Sequence, residues 1–74
     1  MNKKKQIAMT NWIKSMSVGI GGLSGLAQRI GMCEATIFAR CRQPEKWRLD
    51  ELSAIRFACG VNKDEYIKKL SEFI

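Results

Sequence analysis

The segment that most constrains this chain is residues 23–42, LSGLAQRIGMCEATIFARCR. Leu23, Leu26, Ala27 and Ile30 recur at helical spacing, Gly31 follows, and Ile37 and Cys41 then stand one turn apart. A helix over 23–30 has to stop at Gly31, where glycine alone enters a left-handed backbone without strain. A second helix starts near Cys33 or Glu34 and ends before Pro44, since the residue ahead of a proline is pushed out of the helical region. Ala27 is small enough for the second helix to cross the first closely, and Ile37 plugs the angle between them. A helix, a tight turn and a crossing helix leave a small chain few arrangements.

The rest of the chain reads as more helices around the same core. Met9, Trp12, Ile13 and Met16 give an amphipathic helix over 5–16, with Trp12 in the core. Residues 1–5, MNKKK, show no apolar periodicity and read as a flexible basic arm, leaving 6–74 as the single domain. Residues 17–22, SVGIGG, read as a linker; they lack the preceding strand and the Lys-Ser/Thr of a phosphate-binding loop. Gly25 weakens the next helix by about 0.5–1 kcal/mol relative to alanine.

After a loop over 43–48, in which Trp47 serves either as a lid on the core or as an exposed interaction residue, Leu49, Leu52, Ile55 and Cys59 trace a helix over 49–59. Asp50 and Glu51 suit its positive end, and Gly60 closes it. Asn62, with Glu65 three residues on, caps a last helix from Lys63 whose buried stripe is Tyr66, Ile67, Leu70 and Phe73. No segment alternates as a strand does. The expected fold class is all-α, a compact bundle of about five short helices. A chain of 74 residues buries only about 60% of its unfolded surface, so truncating Leu52 or Ile67 is expected to cost ~2–5 kcal/mol.

The inventory of reactive residues is short. There is no histidine, which removes the commonest general base and the usual partner of a Ser or Cys nucleophile, and the chain is not expected to be an enzyme. Cys33, Cys41 and Cys59 form no Cys-x-x-Cys pair, so no metal and no cofactor is expected. They read as free thiols packed as small hydrophobes in a reducing, cytoplasmic setting. Apolar runs are too short to span a membrane, and Thr10, Asn11, Lys14 and Ser15 interrupt any signal-peptide centre. A membrane-active basic helix fits poorly with so many caps and glycine stops. No small-molecule substrate is implied.

The formal charge is +6 and it is unevenly spread. Lys3, Lys4, Lys5 and Lys14 have no acid among the first fourteen residues. Over 28–48, Arg29, Arg40, Arg42, Lys46 and Arg48 meet only Glu34 and Glu45, whereas 49–74 is slightly acidic. An excess of cations on and around the crossing helix pair suits phosphate. With Ile37 and Cys41 turned inward, Glu34, Ala35, Phe38, Ala39 and Arg42 point outward, flanked by Thr36 and Arg40. Phe38 is placed either to touch a thymine methyl group or to tuck into the edge of the core. Lys46 and Arg48 flank the start of the helix over 49–59, whose free N–H groups form a natural phosphate site.

The run LAQRIGMCEATIFARCRQP, followed by LDELSAIRFACGVNKDEYIKKL, resembles the Cro/XRE-type helix-turn-helix regulators of phages and bacteria over roughly residues 9–70. Cys33 stands where that family commonly has Ser or Thr, Arg40 at an often apolar position, and an acid at position 34. The resemblance implies a lambda-repressor-like fold and a transcriptional regulator, repressor-like in action, that binds double-stranded DNA. The helix over 34–42 would then lie in the major groove, with Ser24 and Gln28 at phosphate-binding or bracing positions. A homodimer on a two-fold operator is expected, and Tyr66, Phe73 and Ile74 are its candidate surface. The alternative left open is a protein-interaction module on the same fold, such as an antirepressor, an antitoxin-like partner or a phage inhibitor. The weakly polar face of Glu34, Ala35, Phe38, Ala39 and Cys41 motivates it.

Overall fold

Ile13, Leu26, Ile37 and Ile55 lie on four different helices, and in the computed structural model, which describes residues 2–73, all four are fully buried. The bundle is built around them. Its elements are α1 (Lys3–Ser17), a 3₁₀ turn (Val18–Ile20), α2 (Gly22–Ile30), α3 (Glu34–Arg42), a second 3₁₀ turn (Pro44–Lys46), α4 (Leu49–Cys59) and α5 (Lys63–Phe73). Among the described residues there is no strand, and the fold is an all-α bundle of five helices.

α1 begins earlier than apolar periodicity predicts. Asn2 caps it, its side-chain oxygen accepting the Lys5 N–H at 2.8 Å, and Lys3, Lys4 and Lys5 form its first turn. Residues 3–5 are therefore helix rather than a flexible arm, while Met1 lies outside the described residues. Met9, Ile13 and Ser17 are the buried line of α1, one turn apart. Trp12 is half-buried and stacks at 5.7 Å from Phe73 and 6.2 Å from Tyr66, tying α1 to α5.

The expected linker at 17–22 is a tight reversal in which residues 18–20 make a 3₁₀ turn and α2 already starts at Gly22. A Cβ at Gly25 would fall 1.8 Å from the Ile20 carbonyl oxygen, so α2 lies directly on this turn. What glycine costs in helix propensity at position 25 is repaid by that contact. At the other end of α2, Gly31 takes the left-handed conformation at φ 71°, and the Gly31 and Met32 N–H groups both bond the Ala27 carbonyl.

The chain then passes through Pro44 and Trp47, both buried, so Trp47 is a packed lid. α4 and α5 span the residues expected of them. Gly60 ends α4 at φ 68°, and Asn62 accepts the Asp64 N–H at 2.8 Å at the start of α5. Two apolar residues depart from expectation. Leu49 is 67% exposed, because in the first residue of α4 the stripe of Leu52 and Ile55 has not yet reached the core. Ile67 is 48% exposed, because α5 buries the line through Tyr66, Leu70 and Phe73, and Ile67 sits about 100° around the helix from Tyr66. Leu52 keeps its place as a core residue whose truncation is costly; Ile67 does not.

Candidate nucleic-acid interface

α2 and α3 meet through Ala27 and Ile37, both buried, and a three-residue connection turns the chain between them. With Ile37 inward, α3 presents Glu34, Ala35, Phe38 and Arg42 to solvent, and Phe38 is 43% exposed. Ala39 and Thr36 are half-buried at the flanks. Ser24 and Gln28, one turn apart on α2, are both exposed. Six of the expected site residues thus lie uncovered on two packed helices, and Lys46 is exposed just beyond.

Arg40 belongs to a different set. Its guanidinium grips the Glu51 carboxylate through Nε to Oε1 at 3.2 Å and NH2 to Oε2 at 3.4 Å, with both side chains largely covered. It fastens α3 to α4, and its donors toward Glu51 are not available to phosphate or bases. Glu51 also accepts the Arg48 backbone N–H at 2.9 Å. Burial alone would raise the Glu51 pKa. The Arg40 and Arg48 hydrogen bonds and the Arg40 charge outweigh it and hold the carboxyl below its ordinary value.

This pairing also revises the expected phosphate site at the start of α4. Two carboxylates stand there already: Glu51 accepts the Arg48 N–H, and Asp50 is paired with the Arg48 guanidinium at 3.2 Å. Arg48 stays mostly exposed in that pair, which contributes little stability. Of the expected site residues, Arg40 is engaged inside the molecule.

α1 brings to α3 what the sequence pattern missed. Thr10 Oγ1 donates to the Cys41 carbonyl at 2.9 Å, and Gln6 Nε2 donates to Glu45 Oε2 at 2.8 Å. Burial pushes the Cys41 thiol pKa up, against the opposing charges of Lys14 and Arg42, so both cations lie near this junction. The Cys59 thiol pKa is likewise raised by burial, with Arg29 acting the other way. No apolar periodicity in residues 1–5 signals that α1 starts at Lys3, which shares a groove with Arg42.

Among the described residues, no group of three or more His, Cys, Asp or Glu is placed to hold a metal ion, and no helix is long and apolar enough to cross a membrane. The candidate dimer surface also changes. Tyr66 and Phe73 are core residues that stack on Trp12, and Ile74 lies outside the described residues. No family model, no curated protein and no solved structure matches this chain.

Proposed function

We propose that the chain is a sequence-specific DNA-binding regulator that places α3 in the major groove. The observation that carries this reading is the uncovered outer face of α3, bearing Glu34, Ala35, Phe38 and Arg42, beside exposed Ser24 and Gln28 on the helix it crosses. An α-helix fits the major groove, and the side chains on this face match its chemistry. Arg42 can donate to guanine or phosphate, Phe38 can contact a thymine methyl group, and Glu34 can accept from cytosine N4. Ser24 and Gln28 can bond phosphate on the flanking strand. A homodimer would set two α3 helices about 34–36 Å apart on a two-fold operator, and repression would follow from occupying it.

Selection of bound duplexes from random DNA, repeated with Arg42→Ala and Phe38→Ala, tests this reading. A sequence motif should emerge from the wild type. Phe38→Ala should alter the preferred bases, and Arg42→Ala should weaken binding. A wild-type chain that retains no duplex even at low salt sinks the reading.

A second reading, a protein-binding module on the same fold, draws on Leu49 and Phe57, two turns apart on α4 and both strongly exposed. A stoichiometric protein complex that survives Arg42→Ala and is lost with Phe57→Ala would favour it.

A further inference from the structure

We infer that the groove between the start of α1 and the end of α3 is a clamp for the phosphate backbone of duplex DNA, with Lys3 and Arg42 as its cationic walls. The inference rests on the DNA-binding reading above and adds a contact outside the α2–α3 pair. The groove has a volume of about 230 Å³ and is lined by Lys3, Gln6, Thr10, Asn11 and Arg42 together with apolar Ile7, Cys41 and Pro44. Its lining contains no acid among the described residues, although the Glu45 carboxylate stands at its edge, bound by the Gln6 amide at 2.8 Å. Both walls are exposed, and the ion pairs among the described residues, Arg40 with Glu51, Arg48 with Asp50 and Lys69 with Glu72, involve neither.

The position of Lys3 is unfavourable for the fold itself. It is the first residue of α1, at the positive end of the helix dipole, where a cation is repelled and an acid would be favoured. The Asn2 cap holds the helix without help from it. A charge set against its own helix, beside a second unpaired charge, is placed for an external anion. The walls are also fixed in advance, because the hydrogen bond from Thr10 to the Cys41 carbonyl joins the two helices at the groove. Lys14 continues the same face of α1 one turn beyond Thr10.

The lysine run does not act as a block. Lys4 and Lys5 line a separate cleft with Lys69 and Glu72 of α5, on the other side of α1. Only Lys3 of the three shares a groove with Arg42. Arg42 is also the last residue of α3, so a duplex that receives this helix runs its backbone past the groove. Phosphodiester oxygens are the anions available there.

The test is binding of the full chain to a mixed-sequence duplex across a salt series, for wild type, Lys3→Gln, Arg42→Gln and Lys5→Gln. All three positions are exposed, and thermal melts check that the fold is kept. Lys3→Gln and Arg42→Gln should each flatten the slope of log affinity against log salt by about 0.9, one phosphate contact apiece. Lys5→Gln should flatten it much less, and Lys3→Arg should restore the wild-type slope. If the wild type binds but Lys3→Gln behaves like Lys5→Gln, the clamp is overturned while the α3 reading stands. If the wild type binds no duplex, both fall together.

Discussion

α3 is held on two sides, and the two sides treat charge in opposite ways. Toward α4, charges are paired: Arg40 is gripped by Glu51, and Arg48 pairs with Asp50. Toward α1, the junction is made by neutral donors, Thr10 to the Cys41 carbonyl and Gln6 to the Glu45 carboxylate, while Lys3, Lys14 and Arg42 have no acid paired with them among the described residues. One side uses charge to hold the protein together. The other leaves it facing out. A net charge of +6 read along the chain cannot distinguish these uses, since the arginines at 40 and 42 look alike in sequence and differ in what they meet.

The largest effect should come from the core beneath the α4 side. Leu52 is buried one residue after Glu51, and Leu52→Ala should remove about 2–5 kcal/mol from the unfolding free energy measured in denaturant. Arg42→Ala, on the open side, should change stability by no more than about 0.5 kcal/mol. An Arg42→Ala variant that unfolded as readily as Leu52→Ala would erase the distinction between the two sides.

Next in size is the ion pair itself. Glu51→Gln keeps the shape but leaves Arg40 without its charge partner, and a loss of about 1–3 kcal/mol is expected. The pH dependence follows from the lowered pKa of Glu51. A carboxyl held below its ordinary value of 4.5 binds fewer protons folded than unfolded near that value. Its stabilisation is complete above the unfolded value and is lost as pH falls through the folded one. The stability gap between wild type and Glu51→Gln should be widest near neutral pH, begin to shrink as pH falls past 4.5, and close only below the lowered folded value. A gap independent of pH would show that Glu51 acts by packing alone.

The same two sides explain what could be read from the sequence. The α2–turn–α3 packing was legible because Ala27, Gly31 and Ile37 act within a few residues of one another, where helical periodicity and backbone rules apply directly. Helices α4 and α5 were legible for the same reason, with Gly60 and Asn62 marking their shared boundary. The tether made by Arg40 was not legible because its partner lies eleven residues on, in another helix, and no local pattern links them. Gly25 looked like a weak point because its reason is the Ile20 carbonyl, a steric contact across a turn. The basic arm proved helical because an Asn2 cap and good helix-forming lysines need no apolar stripe to extend a helix by one turn. Leu49 and Ile67 follow the rule that the edge of an apolar stripe is fixed by its neighbours rather than by its own spacing.

The smallest predicted loss of stability from breaking an internal contact is the one that best separates the two sides. Thr10→Val keeps the volume of the side chain and removes one hydrogen bond, leaving the Cys41 carbonyl short of a partner at a half-buried site. A loss of about 0.5–1.5 kcal/mol is expected. Its effect on DNA should be out of proportion to that. The bond joins the walls of the Lys3–Arg42 groove, so loosening it lets the two cations part without altering either charge. Affinity for duplex should fall at low salt even though the fold remains intact by thermal melting. Glu51→Gln makes the matched comparison, because it costs more stability on the side facing away from the groove. Below its melting transition it should bind duplex with the wild-type salt slope. A Thr10→Val variant with unchanged affinity, beside a Glu51→Gln variant with a flattened slope, would reverse the assignment of the two sides.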